Sequence, residues 1–144
     1  MGNKLNIPFK LAKIEEKQFS VFEENLGSEA PVQEKIGVGF GGEAEDRIVV
    51  SSINYQLLKD KQPFIHIEVA CYFEIERKAF KEKLHKEGGI ELPVQLARHL
   101  VNITVGTARG VLFSNTQNTP FSEYPMRLIN LERILKEDIH IDFK

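Results

Sequence analysis

Residues 63–76 read PFIHIEVACYFEIE, and the two-residue period of that stretch decides the fold. Ile65, Ile67, Val69, Cys71, Phe73 and Ile75 fall on one side, and Phe64, His66, Glu68, Ala70, Tyr72 and Glu74 on the other. Successive side chains of a strand point to opposite faces, so the pattern predicts a strand with one buried face. Upstream, RIVVSSINYQLL at 47–58 is rich in β-branched residues and predicts a second strand. The short polar link LKDKQP between the two predicts an antiparallel hairpin.

Working outward, residues 7–23, IPFKLAKIEEKQFSVFE, carry apolar side chains at Phe9, Leu11, Ile14, Phe19, Val21 and Phe22. Alternation breaks at Ala12–Ile14, which predicts a strand with an irregularity, or two short strands. Residues 24–33 are a loop punctuated by Gly27 and Pro31. Residues 36–42, IGVGFGG, match the G-x-G-x-x-G dinucleotide pattern only formally. That motif needs a following helix whose N-terminus receives a pyrophosphate, and here the acidic EAED and another strand follow. The glycines instead predict a flat or bulged strand closely approached by another backbone.

After the hairpin, KAFKEKLHKEGG at 78–89 reads as a charged, mobile link with one helical turn. ELPVQLARHLVNITVGTARGVLF at 91–113 reads as a helix, with Pro93 in its first turn. Leu92, Leu96, Leu100, Ile103, Thr107 and Val111 follow helical spacing and predict its buried face. Gly106 and Gly110 lie on one side, each costing about 1 kcal/mol of helix stability relative to Ala, and predict close backbone contact with a neighbour. SNTQNTPFSEYP at 114–125 then reads as a long arm. Asn130 predicts the N-cap of a short helix carrying Leu131, Ile134 and Leu135. The tail DIHIDFK alternates and reads as a short strand or arm. Strands grouped before helices indicate α+β, a four-stranded antiparallel sheet with two helices on one face, in a single domain spanning 1–144.

Composition narrows the function. The chain has 144 residues, 42% hydrophobic and 28% charged, with a formal net charge of −2. Those values fit one globular domain and give no basic stripe for nucleic acid. Cys71 is the single cysteine, so neither an intramolecular disulfide nor a CxxC site is available. No apolar run has the length of a membrane span, and the N-terminal stretch lacks a signal-peptide apolar region, so the expected compartment is a reducing cytoplasm.

Catalytic constellations are missing. His66, His85, His99 and His140 include no H-x-x-x-H pair, and His140-Ile-Asp142 has no evident third metal ligand. Ser114 and Ser122 lack a G-x-S-x-G context. Cys71 falls on the apolar strand face as a buried thiol. We therefore expect no enzyme, no cofactor and no metal. What remains is aromatic and apolar: Phe113, Phe121, Tyr124, Met126 and Leu128 cannot all be buried by helical packing. One reading is a surface for extended apolar segments of another chain. A second is a cleft binder using His66, Glu68 and Arg109. A third is an adaptor whose apolar arm serves its own oligomer.

The order of elements resembles the SecB family of protein-export chaperones and their SecB-like relatives. FKLAKIEEKQFSVFE resembles the family's first strand, and RIVVSSINYQLLKDKQPFIHIEVACYFEI its central hairpin. LPVQLARHLVNITVGTARGVLF, with Arg109-Gly110 near its end, resembles the long helix, and PMRLINLERIL the closing segment. The resemblance covers most of residues 7–136. It implies an ATP-independent chaperone that binds unfolded polypeptide clients and assembles as a homo-oligomer, a dimer of dimers. Client contacts would fall on Phe113, Phe121, Tyr124, Met126 and Leu128, with Leu131 and Ile134. The oligomer interface would use Leu100, Ile103, Gly106 and Gly110. Delivery of preproteins to the SecA motor would use Glu23 and Asp60. A relative dedicated to one partner, such as a toxin–antitoxin system, is the alternative. The sequence departs from the family in three ways. The glycine pair late in the fourth strand is replaced around Ala70-Cys71-Tyr72, the arm is longer, and a strongly acidic tail is missing.

Overall fold

In the computed structural model, which describes residues 6–143, four strands form an antiparallel sheet: β1 (Phe9–Val21), β2 (Val32–Glu43), β3 (Ile48–Lys59) and β4 (Gln62–Ile75). Their order is β1-β4-β3-β2, so the hairpin β3–β4 is central and β1 and β2 are the two edges. Asp60 and Lys61 turn the hairpin, both at positive φ (55° and 67°). Two successive positive-φ residues make a turn whose twist matches the flanking strands. The irregularity expected near Ala12 is a register shift between Leu11 and Lys13.

The alternation of residues 63–76 is realised with two exceptions, Phe64 and the small Ala70, which is also fully buried. Ile65, Ile67, Val69, Cys71, Phe73 and Ile75 are all buried beside the matching Val49, Ser51, Ile53, Tyr55 and Leu57 of β3. Phe64, placed by strict alternation on the polar face, is also fully buried. The β3–β4 register shifts between Leu57 and Leu58, and this irregularity releases Phe64 from the alternation.

A single turn of helix, α1 (Arg77–Ala79), and a wider turn through Phe80–Leu84 follow β4. The link read as mobile is instead ordered. β5 (His85–Lys86) and β6 (Gly89–Leu92) pair, and the C-terminal β7 (Ile139–Asp142) returns to complete a second, three-stranded sheet. Its Ile90 and Ile141 reach Gly42 of β2, where an added Cβ would come within 2.7 Å of Ile90 Cδ1. The expected close approach to the glycine strand is therefore made by these side chains.

The long helix is α2 (Val94–Thr116), which runs three residues past the end of its sequence pattern. Its buried face is Leu96, Ala97, Leu100, Val101, Thr104, Val105, Ala108, Leu112 and Thr116. Ile103 and Val111, expected at the centre, lie half-buried on its flank. Small residues at 97, 104 and 108 let the helix axis come close to β3 and β4, which rotates the stripe. The second helix, α3 (Leu131–Ile134), is one turn, capped as expected by the Asn130 side chain accepting from the Glu132 amide at 3.0 Å.

At the centre of this contact two hydroxyls are buried. Thr104 donates to the Leu100 carbonyl at 2.9 Å, and its oxygen lies 3.0 Å from the Ser51 hydroxyl of β3. Without Thr104 the Ser51 hydroxyl is stranded in an apolar site, and without Ser51 the Thr104 hydroxyl keeps only its bond to the Leu100 carbonyl, whereas replacing both can be nearly neutral. We expect Ser51→Ala and Thr104→Val each to cost about 1–2 kcal/mol, and the double variant to cost less than their sum. Urea unfolding of the four proteins measures the coupling; additive costs would refute it.

Candidate functional site

The two sheet edges are built differently. β1 carries Lys10, Lys13, Glu15, Glu16 and Lys17, and its register to β4 shifts twice. Charges and bulges of this kind guard an edge against pairing with other chains. β2 pairs with β3 without a register shift from Val32 to Glu43. Its segment Ile36–Gly42 carries no charge, and its outer side is an edge of the sheet. A flat, apolar, unguarded edge is a template for an added strand.

The surface beside β2 is shaped by the segment between the helices. Thr119 caps a turn at Pro120–Glu123 by accepting from the Phe121 amide at 3.2 Å. Tyr124 sets its ring edge-on to Phe64, with centroids 4.9 Å apart. Lys59, 8% exposed, lies over both rings and donates to the Leu26 carbonyl at 2.8 Å. Its carbon stem covers apolar surface while its ammonium is bonded.

Backbone bonds fix the next stretch. Arg109 of α2 donates from Nε to the Met126 carbonyl (3.1 Å) and from Nη2 to the Arg127 carbonyl (3.0 Å). The Arg127 amide donates to the Tyr55 hydroxyl (3.2 Å), which donates to Glu34 of β2 (2.7 Å). Burial pushes the Tyr55 phenol above its ordinary value, with Glu34 adding to the shift. The phenol thus stays protonated, and the chain from helix to edge strand holds, across neutral pH.

The sequence-derived contact residues separate into two groups. Phe121 and Met126 are buried in the protein's own core, because the turn at 120–123 and the Arg109 tether direct them inward. Tyr124 and Leu131 are half-buried. Leu128 is 89% exposed, Phe113 63% and Ile134 43%, and these three are free to meet another chain. Among the residues assigned to an oligomer interface, Leu100 is fully buried against the sheet and Ile103 is half-buried. Gly106 and Gly110 face outward, and a Cβ at either would meet nothing within 4 Å. Glu23 and Asp60 lie at one end of the sheet: Asn25, two residues from Glu23, donates to the carbonyl of Pro63, just past the hairpin turn.

The cleft reading is not supported by placement. His66 and Glu68 lie on the uncovered sheet face, joined through Asn54, whereas Arg109 lies on the helix side with the arm. On that uncovered face Tyr72 donates to Glu15 at 2.7 Å, lowering the carboxyl and raising the phenol. Cys71 is buried. Among the described residues no group of three His, Cys, Asp or Glu is placed to hold a metal, and no helix is long and apolar enough to cross a membrane. Near a helix end, Arg109 reads as a structural residue that bonds the helix's last carbonyls or pairs with an acid; the carbonyls it holds are instead those of Met126 and Arg127 in the arm.

The fold is similar to that of the Mycobacterium tuberculosis SecB-like chaperone Rv1957, whose structure was solved in complex with a ChAD peptide from the HigA1 antitoxin. The similarity covers 84% of this chain and 90% of that one, with a TM-score of 0.51 and 11% identity. A protein of unknown function from Streptococcus agalactiae matches over 88% of this chain and 99% of its own, with a TM-score of 0.40 and 8% identity. No protein-family profile and no curated protein matches the sequence. The fold is thus SecB-like.

Removing the Arg109 guanidinium should free residues 124–128. Arg109→Ala is expected to raise amide exchange there several-fold and to lower stability by about 1–2 kcal/mol. Exchange measured by mass spectrometry checks this; an unchanged arm would show that Arg109 is not what holds it.

Proposed function

We propose that this protein is an ATP-independent, polypeptide-binding chaperone that captures extended apolar segments. The observation that carries the reading is the edge of β2. Ile36–Gly42 offers unguarded main chain on a rigid sheet, and Ile36, Val38 and Phe40 are half-buried on its helix-side face. Leu128 follows directly on the Arg127–Tyr55–Glu34 bonds that bring the arm to β2. Main-chain pairing gives sequence-tolerant affinity, and exposed apolar side chains beside it select apolar segments.

The antitoxin peptide on the Mycobacterium tuberculosis chaperone supports a polypeptide as ligand and favours a dedicated partner over a general clientele. Delivery of preproteins to SecA is the wider version of the proposal, with Glu23 and Asp60 as the docking acids. Self-association completes it. Two outward glycines in a 23-residue helix are unexplained inside one protomer, since neither is crowded. A second copy seated on α2 supplies the need for small residues there.

Gly37 gives a clean test of the edge. A Cβ there makes an ordinary 3.8 Å contact with Asn54 Cβ, so Gly37→Lys adds an edge charge without displacing the fold. Gly37→Lys and Leu128→Ser are each expected to weaken suppression of aggregation of an unfolded client about tenfold or more, with thermal stability within roughly 0.5 kcal/mol. A wild-type protein without holdase activity would overturn the function, and unimpaired variants would overturn the site.

Gly106→Ala and Gly110→Ala are expected to stabilise the isolated protomer by up to about 1 kcal/mol each while weakening self-association. Light scattering with thermal unfolding reads both quantities. Unchanged assembly would remove α2 from the interface.

A further inference from the structure

β7 is the last strand of the described chain, and its His140 has an arrangement that the binding function does not use. The imidazole lies over Gly89 of β6, where a Cβ would stand 3.0 Å from His140 Cε1 and 3.1 Å from Nε2. Nδ1 is 2.5 Å from Glu91 Oε2, and Nε2 is 2.8 Å from Asp142 Oδ1. A neutral imidazole has one N–H, so two carboxylate contacts can be hydrogen bonds together only when the ring carries both protons. Register places Gly89 opposite Asp142, and Lys86 of β5 opposite Gly89.

We infer that His140 is a proton-operated clasp that holds the C-terminal strand β7 onto β6, closed when the imidazole is protonated and loosened when it is neutral. Loosening has a local consequence. β7 also carries Ile141, whose side chain lies beside Gly42 at the end of β2, so loosening thins the cover there and leaves Ile90 of β6 in place over Gly42. The clasp stands independently of any client.

The charges around the ring give the sign. Glu91 of β6 and Asp142 of β7 are the ring's two ion contacts among the described residues. Lys86 of β5 shares their face by register, Glu43 of β2 lies on the far face of its strand, and His85 sits on the opposite face, near Phe80 and Phe143. The hydrogen bond to Glu91, supported by Asp142, raises the His140 pKa above the ordinary histidine value. The clasp is therefore complete below about pH 6.5 and is lost as pH rises through the raised value.

The test compares amide protection factors of Ile139–Asp142 and Gly89–Leu92 in the full-length protein at pH 6 and pH 9. The clasp is exposed, so the expected effect is modest: a two- to five-fold loss of protection at pH 9, roughly what an exposed ion pair gives. β3 and β4 amides should be unaffected. His140→Gln should show the weaker protection at both pH values. Glu91→Gln, which keeps the histidine, should move the midpoint to lower pH, read directly from the imidazole proton shifts. Wild-type protection that is independent of pH, or a His140→Gln variant that keeps the pH dependence, would overturn the clasp.

Discussion

One helix cannot cover four strands. An α-helix with its side chains is about 10–12 Å across, and strands stand about 4.8 Å apart, so α2 spans two of them. It lies on the central pair β3 and β4, seated closely by Ala97, Thr104 and Ala108. The helix-side faces of the two edge strands then need other cover, and the rest of the chain is arranged by how that cover is supplied. Over β2 it comes from the segment between the helices at one end and from the small sheet at the other. Over β1 it is thinner: Phe9 packs on Phe73 and His99, and Asn115 reaches Glu16, yet Leu11 and Ile14 stay 43% and 49% exposed.

The long crossover follows from the same constraint. A short connection would leave Tyr55, Leu57 and Phe64 open to water; the arm seals them with Phe121, Tyr124 and Met126. Its path is then fixed through main-chain groups: two carbonyls held by Arg109 and one amide held by Tyr55. Fixing a segment by its backbone leaves its remaining side chains free of structural duty. That is why Leu128 can be almost fully exposed in a segment that is otherwise anchored. The aromatic residues that looked like contact residues divide along this line, into those that seal the sheet and those left outside.

What was legible in the sequence was whatever a local period encodes. The strand at 63–75 and its hairpin, the irregular first strand and the long helix all declare themselves within a window of a dozen residues. The glycine strand was legible because a strand, rather than a helix, follows it. The second sheet was not legible. β5 and β6 are two and four residues long, and the far half of β6, at Glu91 and Leu92, finds its partner only in β7, some 50 positions later. Phe64 was misplaced because a register shift lies between strands and leaves no mark in the alternation of either one. The helix face was rotated because alanine scores poorly as a core residue, although the small size of Ala97 and Ala108 is what allows close seating. In the site, apolarity was readable one residue at a time, but exposure was not: Phe121 and Met126, read as contact residues, are buried. Nor was the tether through Arg109, because its partners are carbonyls that every residue has.

The asymmetry of the two edges then gives the surface a direction. A sheet guarded at both edges offers main chain to nothing, and one unguarded at both can extend into a polymer. Here β1 carries five charged residues and two register shifts, whereas Ile36–Gly42 carries none of either. On the proposed function, strand addition is thereby confined to one side, where a single extended segment would pair. The glycines of that strand remove side chains from the uncovered face at 37, 39 and 41, while Ile36, Val38 and Phe40 remain on the helix side. An added strand would find its apolar contacts on the helix side alone, next to the anchored arm. The alternation that makes the central strand a core element thus leaves the edge strand with apolar side chains on one face only.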